Sequence, residues 1–218
     1  MNPNVIIING SPKGTKGNSE SIANSLMDKL LSQDLEPTKI ILKSQLSHFD
    51  HLMEVVNQSD ILILVLPVYQ NSVPGLVLQF FEMLEKNKEK LDYKVRKMAV
   101  ISNSGFPEPS ANMTTIEHCK LFALSMDFEW LIGALVAPGT LIDGKNLDET
   151  GNTYKKVIAL LDIIAKKIRT QESFTDSDLQ LTSKSFISPF MYRFFGKLLQ
   201  KKVIKKLGKE KYFAQPFQ

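Results

Sequence analysis

Apolar and polar positions along the chain fall into two alternating patterns. Short, nearly continuous runs of branched apolar residues recur at 5–8, 39–42, 61–66, 98–101 and 131–136. Runs of four to eight such residues read as strands. Several of these are almost pure Val, Ile and Leu, as expected of parallel strands covered on both faces. Between them the apolar residues recur every three or four positions, which predicts helices. One follows the first run, with Ile22, Leu26 and Leu30 in register. Others are predicted over about 50–58, from near Pro74 through Phe80, Phe81 and Leu84, over 110–126 and over 153–169. Pro74 suits the first turn of its helix, where a missing N–H is not needed. Strand and helix alternating five times predict βαβ units around a parallel sheet, a doubly wound α/β/α domain of three layers over residues 1–170. Residues 171–218 are expected to form a C-terminal helical extension on the same domain. In it, 170–185 reads as a polar surface connection and 186–207 as a helix with Phe195, Leu199, Val203 and Leu207 in one stripe.

The first strand and helix are joined by Asn9-Gly10-Ser11-Pro12-Lys13-Gly14-Thr15-Lys16-Gly17-Asn18-Ser19, a run rich in glycine and in hydrogen-bonding side chains. Two familiar phosphate loops fail on register. The P-loop needs Gly-Lys-Ser/Thr five residues after its first glycine, but Thr15 follows Gly10 and Ser19 follows Gly14 at that spacing. The dinucleotide pattern G-x-G-x-x-G would place Pro12 where its first glycine belongs. A plain βα turn capped by Asn18 or Ser19 explains either residue alone. It does not explain about ten residues of loop where two to six suffice. A helix start binds anions through its unpaired amides and its dipole, and Ser11, Thr15, Asn18 and Ser19 can add donors. A phosphate site is therefore the expectation.

Two further loops follow the third and fourth strands: Leu66 to Gly75 (LPVYQNSVPG) and Ser102 to Ser110 (SNSGFPEPS). In a doubly wound sheet the carboxyl ends of the strands beside the switch point form the ligand crevice. Tyr69 and Phe106 offer flat surfaces there, and Gln70, Asn71 and Asn103 offer polar contacts. Together the three loops suit a phosphorylated ligand with a flat, polar-edged ring. Packing in the fold is the competing reading of Tyr69.

Composition narrows the setting. Of 218 residues 43% are hydrophobic, enough for one sizeable core. A lone cysteine, Cys119, excludes an internal disulfide and an all-cysteine metal site. The amino-terminal stretch has no basic region before its short apolar run, and nothing approaches the ~20 apolar residues of a membrane span. A cytoplasmic location is expected. The net charge of +4 conceals an asymmetry: residues 184–218 carry +8 and the remainder −4. A slightly acidic body argues against binding nucleic acid.

These blocks resemble the flavodoxin-like NAD(P)H-dependent FMN reductase family, including its iron–sulfur flavoprotein branch. The likeness is carried by NGSPKGTKGNS, by DILILVLPVYQNSVPG with the FFEML after it, and by AVISNSGFPEP leading into EHCKLFALSMDFEW. It extends into the tail, SPFMYRFFGKLLQKKVIKKLGKEKYFAQPF. The resemblance implies a flavodoxin-like fold. It implies that Ser11, Lys13, Asn18 and Ser19 hold an FMN phosphate. Pro67, Val68, Tyr69, Gln70, Asn71 and Ser72 would border the isoalloxazine, and Asn103, Ser104, Gly105 and Phe106 would close its other side. NAD(P)H would be the electron donor and a quinone, flavin, azo or nitro compound the acceptor, in a homodimer. The cysteine cluster of the iron–sulfur branch is missing, since 43–58 reads KSQLSHFDHLMEVVNQ. FMN is then the expected sole redox centre.

Flavin chemistry asks little of catalytic side chains, so no catalytic residue is singled out. His48 and His51 sit three apart near a helix start, but no third ligand accompanies them, and a surface role is expected. His118 and Cys119 are adjacent on one helix and so face apart. The alternatives are an electron carrier of flavodoxin type, which would react poorly with NAD(P)H, and a flavin-free binding module. For the basic tail, packing on the body or across a dimer interface is expected ahead of contact with an anionic membrane.

Overall fold

The computed structural model describes residues 2–106, 109–136, 142, 146–147, 149, 154–175, 177–178, 181 and 188–208. The predicted strands all form: β1 (Val5–Asn9), β2 (Thr38–Ile41), β3 (Ile61–Pro67), β4 (Lys97–Asn103) and β5 (Glu129–Val136). They make one parallel sheet in the order β2-β1-β3-β4-β5. The chain leaves β1 for one edge, returns to β3 on the other side of β1, and then proceeds outward. The crossover direction therefore reverses between β1 and β3, and a cleft opens there at the carboxyl ends of the strands.

The alternation of the strands explains the layers. Val5 and Ile7 with Ile63 and Val65 face one way, joining α1 (Asn18–Leu31) and α6 (Lys155–Thr170) in one core. Ile6, Ile8, Leu62, Leu64 and Val100 face the other way. There they meet α3 (Phe49–Gln58), α4 (Gly75–Lys86) and α5 (Met113–Ser125). A short helix, α2 (Leu42–Gln45), separates β2 from α3 and was not expected from the sequence, which assigned Leu42 to the strand. Leu42 is fully buried and helical. Pro74 is the N-cap of α4, with φ −59° and ψ 145°, one position before the first turn predicted for it. It still ends the extended loop and has no N–H to leave unpaired.

By contacts the chain divides into two units, Met1–Phe186 and Ile187–Gln218. The first holds the sheet and its helices. In the second, α7 (Pro189–Leu207) opens with the Ser188 hydroxyl accepting from the Met191 amide at 3.3 Å, and stops before Gly208, whose φ is +83°. Much of the 170–185 connection, together with Phe186 and Pro216, lies outside the described residues.

Candidate functional site

The loop after β1 is folded back on itself. Gly10 continues the strand, its amide donating to the Val65 carbonyl at 2.8 Å. Asn9 then turns its side chain along the loop: its Oδ1 accepts from the Ser11 amide at 2.9 Å, and its Nδ2 donates to the Gly14 carbonyl at 3.2 Å. The Ser11 hydroxyl accepts from the Lys13 amide at 3.2 Å. Gly14 has φ +59°, a conformation that glycine adopts without the Cβ penalty. A single 3₁₀ turn over Gly14–Lys16 follows, then Gly17, then α1. The eight residues from Gly10 to Gly17, fewer than the ten expected, are thus used for a tight return that presents the start of α1 at the end of β1.

Asn103, the last residue of β4, ties the three loops together. Its Nδ2 donates both to the Ser19 hydroxyl oxygen and to the Leu66 carbonyl, each at 2.9 Å, while its carbonyl accepts from the Val68 amide at 2.8 Å. Since Ser19 accepts from Asn103, its own O–H proton is left to donate elsewhere. The Ser104 amide donates to the Val136 carbonyl, but its hydroxyl is buried with no partner. Such an orphan is expected where a ligand or water belongs.

These residues line a cavity of about 140 Å³. It brings together Ser11, Lys13, Asn18, Ser19, Pro67, Val68, Tyr69, Asn103, Ser104 and Gly105. Among the described residues Lys13 is the one charged side chain in that lining. Gly17 also lines the cavity and was not singled out from sequence. A Cβ there would stand 2.8 Å from the Ser11 hydroxyl oxygen, a close approach that sequence spacing does not reveal.

Four expected residues lie outside that lining. Tyr69 and Ser72 exchange two backbone hydrogen bonds, at 3.0 and 3.1 Å, around Gln70 and Asn71. Both central residues have positive φ, 51° and 59°, which makes a two-residue hairpin turn of type I′. Gln70 and Asn71 are therefore exposed at a turn tip, and Ser72 is its far post. Phe106 is 52% exposed at the rim beyond Gly105. A larger hollow of about 270 Å³ lies at the other end of the strands, lined by Lys88, Tyr93, Arg96, Asp127 and Phe128 among others. In a doubly wound sheet the ligand crevice lies at the carboxyl ends of the strands beside the switch point, so the smaller cavity is taken as the site.

His48, His51 and His118 are exposed, and no cluster of three metal-ligating side chains occurs among the described residues. Cys119 is fully buried, and burial pushes its thiol up to about 12, so it is held as an inert thiol in the core.

A family model described as NADPH-dependent FMN reductase matches residues 3–126. No curated protein matches the chain. Among solved structures, a flavone reductase superposes with a TM-score of 0.59 at 14% identity, covering 95% of this chain and 92% of that one. An NAD(P)H:(acceptor) oxidoreductase from Paracoccus denitrificans does so at 0.55 and 16%, covering 77% and 98%. An FMN-dependent NADH-azoreductase from Bacillus anthracis, solved with FMN, scores 0.51 at 15%, covering 74% and 99%. At such identities the likeness shows the fold.

Proposed function

Because the chain belongs to the NADPH-dependent FMN reductase family, an oxidoreductase family, we propose that it holds FMN at the β1/β3 cleft and reduces a small acceptor there with NAD(P)H. One observation carries the placement: three loops meet at the switch point around a cavity to which Lys13 brings a positive charge. The donor set fits the cofactor. Ser11, Lys13, Asn18 and Ser19 would hold the phosphate at the start of α1, where the helix dipole adds to their attraction. Pro67, Val68 and Tyr69 would border the ring on one side, with Asn103, Ser104 and Gly105 on the other. The unpartnered Ser104 hydroxyl would meet a polar ring edge. Gln70, Asn71 and Ser72 would act through the hairpin that aims Tyr69, and Phe106 would cover the outer face. FMN, when bound, supplies the redox chemistry, taking a hydride from nicotinamide and releasing electrons to the acceptor.

The chain's own contribution is binding, orientation and shielding. Asn103 fixes the spacing of the phosphate and ring loops through its two donated hydrogen bonds. Tyr69 is 44% exposed, which leaves one side of the cleft open for a nucleotide and then an acceptor to reach in turn. We further propose quinones, flavins and azo or nitro compounds as acceptors, a cytoplasmic setting and a homodimer.

The test is anaerobic spectroscopy on purified protein. A yellow protein, or uptake of FMN near one per chain, is expected, with the visible band bleached by NADPH or NADH and restored by a quinone. Protein that takes up no FMN overturns the cofactor placement. Bound FMN reduced by dithionite but by neither nucleotide makes the chain an electron carrier instead.

A further inference from the structure

Beneath the phosphate loop lies a charged pair, Glu20 and Lys39. Glu20 stands in the first turn of α1, next to Ser19, and is only 8% exposed. Its Oε2 accepts from Asn9 Nδ2 at 2.8 Å. Its Oε1 accepts from Lys39 Nζ at 2.5 Å, the lysine reaching across from β2. Lys39 also donates to Asn24 Oδ1, one turn further along α1.

This arrangement contains a conflict. A carboxylate at a helix start is favoured by the dipole, but so is a phosphate at the same helix start, and the two repel. Lys39 resolves it by cancelling the charge of Glu20. What the carboxylate contributes in return is direction. An ionised carboxylate only accepts hydrogen bonds, so Asn9 must turn its NH₂ toward Glu20. The Asn9 carbonyl oxygen then has one way to face, toward the Ser11 amide, and the other amide hydrogen meets the Gly14 carbonyl. Both ends of the tight return are thus held by one side chain whose orientation Glu20 sets.

We propose that Asn9, Glu20 and Lys39 form a charge-compensated brace in which Glu20 positions the phosphate loop and Lys39 keeps that buried carboxylate from repelling the phosphate, making Lys39 a determinant of selectivity for FMN over riboflavin. The inference rests on the reading of this loop as the FMN phosphate site. Sequence spacing does not show the brace, because Lys39 is nineteen residues from Glu20 and joins it only when β2 pairs with β1.

The experiment measures dissociation constants of FMN and of riboflavin, by flavin fluorescence, for the full-length protein and for K39M, K39R and K39M/E20Q. Melting temperatures of the flavin-free forms are read alongside. K39M leaves an unpaired carboxylate, so it is expected to weaken FMN about tenfold and riboflavin less than about twofold. K39R keeps the charge and is expected to stay near wild type. K39M/E20Q removes both charges while Gln can still accept from Asn9, so FMN affinity is expected to return most of the way. Equal weakening of both flavins in K39M, or no recovery in the double variant, overturns the brace as a selectivity device and leaves a structural contact. Unchanged FMN binding in K39M overturns it as well. Wild-type protein that binds FMN no more tightly than riboflavin overturns the phosphate-site reading itself, and the inference with it.

Discussion

Gly10 has no room for a side chain. A Cβ there would stand 2.7 Å from Val77 Cγ2 of α4 and 3.2 Å from Leu64 Cδ1. The close approach lets β1 hand over to the loop while its amide still pairs with Val65. Gly10→Ala is expected to destabilise the protein by roughly 1–3 kcal/mol, as overpacking does, and to weaken FMN binding by shifting the start of the loop. Chemical denaturation of the flavin-free form and FMN titration check both effects. Because Val77 is the neighbour that must move, the same change should cost less in a V77A background. Equal costs in the two backgrounds would show that the clash is relieved elsewhere. The contrast with Cys119 is instructive: it too is packed with no exposure, but its side chain fills space that the fold provides.

At the scale of elements, the amino ends of the strands are joined by one carboxylate. Asp60, just before β3, accepts from the Asn4 amide at 2.8 Å and from Lys94 Nζ at 3.0 Å, while its own backbone links Asn4 and Lys97 at 2.9 Å each. Partial burial pushes its pKa up, but the Asn4 amide and Lys94 outweigh this, and the net result lies below the ordinary aspartate value. A depressed folded-state pKa contributes stability above the unfolded value, about pH 4, that is lost as pH falls through the folded value. Asp60→Asn should therefore be less stable than wild type at pH 7, with the difference shrinking as the pH is lowered below about 4. Denaturation curves at several pH values decide it; a difference independent of pH would mean that the Asp60 charge plays no part. Strands and helices were legible in the sequence because each is a local pattern: branched runs such as 61–66 can bury both faces, and Ile22, Leu26 and Leu30 share one helix face. The cleft was legible too, since loops after β1, β3 and β4 must meet at a switch point. Directions inside loops were not. Gln70 and Asn71 read from their polarity as contacts in the cleft, and the left-handed conformations they adopt at a turn tip are not visible in residue spacing. Gly17, Asn9 and Glu20 owe their roles to close approach and tertiary pairing, which residue spacing does not encode.

At the scale of the whole molecule, α7 is the element whose apolar side chains call for a partner surface. This helix carries Arg193 and five lysines with no acid, while Phe190, Met191, Leu198 and Leu199 are exposed at 42% or more. Two surfaces could take such a helix. An anionic bilayer would attract each basic residue near it with about 1 kcal/mol and accept the apolar side chains. A protein surface would bury the apolar residues and leave the lysines in water. The order of residues favours protein. Phe190, Met191, Phe194, Leu198 and Leu199 share one broad face; Lys201, Lys202, Lys205 and Lys206 continue it toward the helix end, with Val203 at its edge beside Leu199. A helix lying flat in a membrane interface needs one continuous apolar face, and here lysines take over that face in the last turns. Protein cover, with a second copy as the natural source in a homodimer, is therefore expected. Light scattering should give the mass of two chains, and the intact protein should stay in the supernatant when anionic vesicles are sedimented. Truncation after Gln180 should lower the melting temperature or halve the mass. Salt-sensitive pelleting of the intact chain, together with a truncated chain that keeps its stability, mass and FMN, would assign α7 to the membrane instead.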